Sequence, residues 1–139
     1  MSPGPRFDLP IVDPDTQPFW DAARDGKLLI KRCSGCGRAF FYPRPFCPRC
    51  LSRDVRPQAT SGRATVFSFT VNHQAWDPSW ETPYAIALVE LDEQPGLRLT
   101  TNVVGCPPED VRIGMPVRVT FEQHGEVWVP LFATEARPA

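Results

Sequence analysis

The chain has 139 residues, 42% of them apolar, and a formal net charge of −1. That length suits one ordinary domain, or a small module joined to a barrel of about 75 residues, and excludes three domains. No stretch approaches the roughly 18 uninterrupted apolar residues of a membrane span, and no apolar core follows the start Met1-Ser-Pro-Gly-Pro-Arg, so a soluble cytoplasmic protein is the expectation.

Residues 1–15 contain four prolines and little periodicity, which reads as an extended arm. Thr16 then offers a helix cap and Pro18 a first turn. Phe19, Trp20 and Ala23 share one side of a short helix ending near Gly26. Two turns are marginal alone, so the Phe-Trp pair must bury against the rest of the chain or against another protein.

Leu28-Leu29-Ile30 leads into Cys33-Ser-Gly-Cys36-Gly37; ten residues later comes Cys47-Pro-Arg-Cys50. Each pair is close enough to present two sulfurs to one ion, and Gly35 and Gly37 permit the tight turn that aims backbone N–H groups at sulfur. Four thiolates leave no open coordination position, so the expected cofactor is structural Zn2+; rubredoxin-like iron uses the same ligand set. The run from Phe40 to Phe46 between the pairs suits a ribbon in which metal replaces a hydrophobic core. Four of the five cysteines being so paired fits a reducing compartment better than a disulfide framework. Cys106 is left over and reads as a small side chain at a strand end.

From residue 61 the hydrophobic period becomes two. Strands are expected near 64–71, 83–91, 97–104, 116–122 and 127–134, separated by Gly, Pro and charged turns. Phe67 and Phe69 fall on one face of the first strand. Five short strands at this size predict an OB-type barrel, with an SH3-like barrel as the other choice. The expected organisation is therefore mainly β: an arm and helix over 1–26, a zinc ribbon over 27–58 and an OB-fold domain over 59–139. The connection from Asn72 to Thr82 carries His73, Trp76 and Trp80. Two tryptophans of about 150–250 Å² each are costly to leave in water, so this loop either contacts a ligand or partner or folds over the barrel mouth.

Charge is unevenly spread. Residues 27–56 carry a net +7 and the remainder −8. A zinc ion with four thiolates would contribute −2 to the ribbon, and the surplus can meet phosphates. The sequence holds no Gly-rich phosphate loop, no Gly-x-Ser-x-Gly and no His-Glu-x-x-His. His73 is the better placed of two histidines to hydrogen-bond a ligand; His124 reads as a turn residue. A catalytic use of Cys106 or His73 is the least supported reading. A nucleic-acid-binding module is an alternative, since OB folds and zinc ribbons both serve that purpose, but the acidic barrel argues against a phosphate-tracking groove.

Taken together, Phe19-Trp20, the cysteine knuckles, Pro43-Arg44-Pro45, Pro83-Tyr84, Ala87 to Leu91, Thr101 to Gly105 and Ile113 to Val117 resemble the DUF35 family of zinc-ribbon OB-fold proteins, over about residues 15–133. The resemblance implies an association with acyl-CoA metabolism. It implies an accessory subunit or fused domain that pairs with a thiolase-like enzyme, such as a lipid-transfer-protein-type aldolase or a ketoacyl synthase relative, or with a MaoC-type hydratase. Catalytic groups for retro-aldol cleavage of a β-hydroxyacyl-CoA, a steroid side-chain intermediate for example, would then lie on the partner, in a two-plus-two complex. Arg38, Arg44 and Arg49 are candidates for the phosphates of coenzyme A, with His73 as a further ligand contact. Phe19, Trp20, Trp76 and Trp80 are candidates for the partner interface.

Overall fold

A computed structural model describes residues 9–135. Helix α1 (Gln17–Arg24) follows a turn in which Asp13 and Thr16 exchange hydrogen bonds: the Thr16 N–H donates to Asp13 Oδ1 (2.9 Å) and the Asp13 N–H to Thr16 Oγ1 (3.1 Å). Thr16 is buried, and its hydroxyl caps no N–H of the first helical turn as the sequence suggested. Tertiary burial of Thr16 takes the place of capping here.

Three short strands form the ribbon: β1 (Leu29–Cys33), β2 (Ala39–Phe40) and β3 (Val55–Ala59), in the order β2-β1-β3, all antiparallel. They carry Lys, Arg and Pro with no alternation, so the period-two signal could not find them. The barrel strands are β4 (Arg63–Asn72), β5 (Tyr84–Leu91), β6 (Arg98–Val104), β7 (Pro116–His124) and β8 (Val127–Thr134). All five expected strands are present, displaced by at most two residues at either end.

The closed order β4-β5-β6-β8-β7 decides the barrel type. Every pairing is antiparallel except β6 with β8, and this Greek-key closure is the OB arrangement, not the SH3-like one. A bulge in β4 between Val66 and Ser68 shifts the register against β5. Ala64 and Val66 point inward, while Phe67 and Phe69 stay exposed. Phe67 covers the Arg98 guanidinium, 3.7 Å from its ring centre. In β5 the inward positions are Ala85, Ala87, Val89 and Leu91, and the larger Tyr84, Ile86 and Leu88 lie half-buried on the outside. A 3-10 turn (Pro108–Asp110) joins β6 to β7, and Val111 behind it enters the core.

The core runs across both modules. Phe19, Leu28, Ile30 and Ala39 belong to the same buried cluster as Val66, Val89, Leu99 and Phe132 of the barrel. Phe19 rests against Phe41 and Tyr42, with ring centres 5.5 and 5.8 Å away. Only a small separate cluster of Cys33, Phe40 and Cys47, with Val55 against it, surrounds the thiols.

Candidate functional site

The two cysteine pairs sit on matching turns. Cys33 ends β1, and its carbonyl accepts from the Gly37 N–H at 2.9 Å; the Cys47 carbonyl accepts from the Leu51 N–H at the same distance. The residue closing each turn is left-handed, Gly37 at φ 79° and Leu51 at φ 64°. Glycine takes that conformation freely. Leucine does so at a cost of about 1–2 kcal/mol, and the pairing pattern alone did not mark Leu51 as a turn-closing residue.

The turns bring all four sulfurs within 4.8 Å of one another. Cys33 and Cys50 Sγ are 3.5 Å apart, and Cys36 and Cys47 Sγ 3.7 Å. Sulfurs at about 2.3 Å around a tetrahedral ion would be about 3.8 Å apart, so the set fits a single ion with modest expansion. Backbone N–H groups supply the second shell: Cys36 N–H donates to Cys33 Sγ and Arg49 N–H to Cys47 Sγ, both at 3.4 Å. Cys33 and Cys47 are buried while Cys36 and Cys50 face solvent.

The thiols are electrostatically uneven. The Cys36 N–H is the chief cause that holds Cys33 below the ordinary thiol value. The Cys50 N–H, with that of Arg49, lowers Cys47 to about 7. The Ser52 N–H draws Cys50 down, but a proton shared with Cys33, burial and the adjacent thiols outweigh it and push Cys50 up to about 11. At Cys33 and Cys47 the backbone N–H donors favour the thiolate, the form that binds a cation. The geometry and donor chemistry make this a metal site.

The remaining candidates are dispersed. Arg44 and Arg49 are exposed on the ribbon; the Arg44 carbonyl accepts from Lys31 Nζ at 3.1 Å. Arg38 is half-buried and its guanidinium lies beside Gly96 in the turn between β5 and β6. His73 is exposed just beyond the end of β4. His124 is a correction: it ends β7, is buried, and its Nε2 lies 2.7 Å from Glu122 Oε1, so it belongs to the strand and not to the turn. Cys106 follows β6 half-buried, and burial, with Asp110 and Glu109 nearby, pushes its thiol up, opposite to what a nucleophile needs.

The four aromatic candidates separate clearly. Phe19 is 3% exposed and serves the chain's own core, so its side chain presents no interface; helix and ribbon aromatics close over it. Trp20 is half-buried at that edge. In the tryptophan loop Trp80 folds back edge-on to Tyr84, with ring centres 6.1 Å apart, whereas Trp76 is 69% exposed. Trp80 is thus held by the chain's own Tyr84, and Trp76 stands out from the loop. Sequence reasoning missed the outward face of β5, where Ile86 and Leu88 alternate with small inward alanines; apolar residues on both faces of an antiparallel strand were the available signal.

Residues 20–56 match the family model described as the ChsH2 rubredoxin-like zinc ribbon domain, and residues 57–122 the model of the ChsH2 C-terminal OB-fold domain. A probable enoyl-CoA hydratase alpha subunit of Thermomonospora curvata is 39% identical over 94% of this chain. The chain spans only 39% of that relative's length. A DUF35 domain-containing scaffold protein of Methanocaldococcus jannaschii is also 39% identical, over 69% of this chain and 68% of its own. Among solved structures, a chain of an Ltp2-ChsH2(DUF35) aldolase superposes with a TM-score of 0.79 at 37% identity, covering 91% of this chain and 98% of that one. A DUF35 protein of Sulfolobus solfataricus, at 21% identity and a TM-score of 0.66, shares the fold. Ribbon, barrel and the order in which they follow one another agree across these matches, and the chain belongs to the DUF35 family.

Proposed function

We propose that this chain is the non-catalytic subunit of an acyl-CoA-processing enzyme and pairs with a thiolase-like aldolase subunit. The observation that carries this is the likeness to the ChsH2(DUF35) chain of an aldolase, which extends over 98% of that chain. The relatives named as CoA hydratase alpha subunits support an acyl-CoA setting, including one named for 3-oxo-4,17-pregnadiene-20-carboxyl-CoA in Mycobacterium tuberculosis. In this reading the partner holds the groups for retro-aldol cleavage of a β-hydroxyacyl-CoA, and the complex contains two copies of each subunit. It works in the cytoplasm; among the described residues no helix is long and apolar enough to cross a membrane.

The ion at Cys33, Cys36, Cys47 and Cys50 is zinc, with a structural role. Its chemistry is that of a closed centre that fixes the two knuckles to each other. Arg44 and Arg49, with Arg38 at the joint to the barrel and His73 beyond β4, are offered to the phosphates and pantetheine end of coenzyme A. Trp76 is the partner contact best exposed for the purpose; Trp20 and Trp80 stand at the rims of cavities that a docked partner would cover. A nucleic-acid role is not favoured, because the outer β5–β6 face, where OB folds bind oligonucleotides, carries Tyr84, Ile86, Leu88 and Glu90 with Arg98 as its cation.

Co-expression of the tagged chain with the thiolase-like protein encoded nearest to it tests the reading. A stable complex that cleaves acyl-CoA, with neither subunit active alone, is expected. A chain that stays free of that protein, or an aldolase fully active without it, would overturn the proposal.

A further inference from the structure

The two metal knuckles share a backbone path but differ in the residue that closes them. In the first, Gly37 takes the left-handed position at φ 79°, and a Cβ there would meet nothing within 4 Å. In the second, Leu51 holds the same position at φ 64° and is 68% exposed. A left-handed leucine is strained, and an exposed one gains nothing from burial, so on both counts glycine is the better residue for the chain by itself.

The turn gives Leu51 no room to relax. Its N–H donates to the Cys47 carbonyl at 2.9 Å, the Cys47 N–H donates to the Ser52 carbonyl at 2.8 Å, and the Arg49 N–H reaches Cys47 Sγ at 3.4 Å. Ser52 lies against the first knuckle, its Cβ 3.4 Å from the place a Cβ on Gly35 would take. Leu51 therefore projects into solvent from a fixed backbone. Phe46, which enters the turn, is also exposed. Arg44, Arg49 and Arg53 are exposed on the same segment, and residues 44–53 hold no acid. The next acid along the chain, Asp54, is engaged by Arg56 at 3.7 Å.

Strain that nothing within the chain returns points to a use outside it. A fluid bilayer asks for no fixed side-chain direction, and a phosphate backbone for no aliphatic knob, whereas a preformed protein pocket rewards both. We propose that Leu51 anchors a protein partner: it enters an apolar pocket on that partner, with Phe46 at the rim and partner carboxylates facing Arg44, Arg49 and Arg53. The inference rests on the accessory-subunit reading and deepens it, placing the pocket on the thiolase-like subunit. Arg44 and Arg49 then face partner carboxylates in place of the phosphates of coenzyme A.

The test is the dissociation constant of the metal-loaded chain with the thiolase-like protein encoded nearest to it, read by diluting the co-expressed complex in the analytical ultracentrifuge. Leu51→Gly removes strain and anchor together. The free variant should melt at or above the wild-type temperature while its complex weakens about thirtyfold or more. Leu51→Asn, which also tolerates the left-handed region, should act in the same direction. Arg53→Glu should weaken the complex about threefold to tenfold at low salt and leave it unchanged at about 0.5 M salt. A residue that merely supports the knuckle would behave in the opposite way, so a Leu51→Gly chain that melts lower and binds as tightly as wild type would overturn the proposal. Vesicles of phosphatidylcholine with about a third phosphatidylglycerol should leave the chain in solution; co-sedimentation that Leu51→Gly abolishes would overturn the assignment to a protein. A complex equally tight with Leu51→Gly and Leu51→Asn removes the anchor alone, whereas a wild-type chain that does not bind the thiolase-like protein removes the accessory-subunit reading and the anchor with it.

Discussion

Gly62 stands where the chain leaves the ribbon and enters the barrel. Its φ is 79°, and a Cβ there would lie 2.6 Å from Val119 Cγ1. Its carbonyl also accepts the Val119 N–H at 2.8 Å, so neither backbone nor neighbour has freedom to move away. Gly62→Ala should destabilise the protein by about 2–4 kcal/mol, combining a left-handed penalty with overpacking. A melting temperature equal to wild type would refute this. Cys106 offers a second test at the same scale. Burial first, then the Asp110 and Glu109 charges, raise its pKa above the ordinary 9.0, so the folded state favours the neutral thiol. With the other four cysteines holding metal, the pH profile of iodoacetamide labelling should have its midpoint above 9.0, and Asp110→Asn should lower it. The linked stability is present below the unfolded-state value and is lost as pH rises through the folded one. A midpoint at or below that of a free thiol would contradict the assignment.

At the scale of elements, the joint between ribbon and barrel is a side chain acting as a strand. Gln94, in the turn between β5 and β6, accepts from the Ala39 N–H at Oε1 (3.0 Å) and donates from Nε2 to the Ala39 carbonyl (2.9 Å). Its amide thereby continues the ladder past β2, the edge of the ribbon sheet. The turn that presents it is itself tied down: Glu90 Oε1 accepts from Gly96 N–H (2.8 Å) and Arg98 Nε (3.2 Å), and Glu93 Oε2 accepts from Ser61 N–H (2.7 Å). Gln94→Ala strands two groups of the buried Ala39 backbone and should cost about 1–3 kcal/mol. Because the loss falls on the ribbon's edge, metal transfer to an excess of chelator should also accelerate. Unchanged transfer kinetics together with unchanged stability would show that the clamp contributes nothing.

For the whole molecule, the shared core sets the outcome of metal removal. Ribbon residues Leu28, Ile30 and Ala39 pack in the barrel's cluster, so the two modules cannot part without opening apolar surface. Chelation, or Cys47→Ala, should unfold the ribbon over about residues 28–56 and also lower the melting temperature of the barrel, seen together in circular dichroism and tryptophan emission. A barrel that melts at its original temperature after the ion is lost would mean that the modules are energetically separate.

The sequence by itself determined the metal knuckles, the five barrel strands and the division into a cation-rich and an acidic part. These are local signals: cysteines with two residues between them can turn both sulfurs to one ion, and a strand with one buried face must alternate. It did not determine the ribbon strands, whose partners and not their own residues make them strands. Nor did it show that Phe19 is consumed by the core while Trp76 remains outside, or that His124 is buried, since two neighbouring aromatics or two histidines look alike until packing chooses between them. The two cavities along the seam between β6 and β8 likewise exist only in three dimensions. Pro130 is unremarkable in sequence, and opens the seam because barrel closure places its missing N–H opposite Thr100. Only the tertiary structure decides which long-range neighbour a backbone group meets, and at β6 and β8 that choice leaves an edge unpaired.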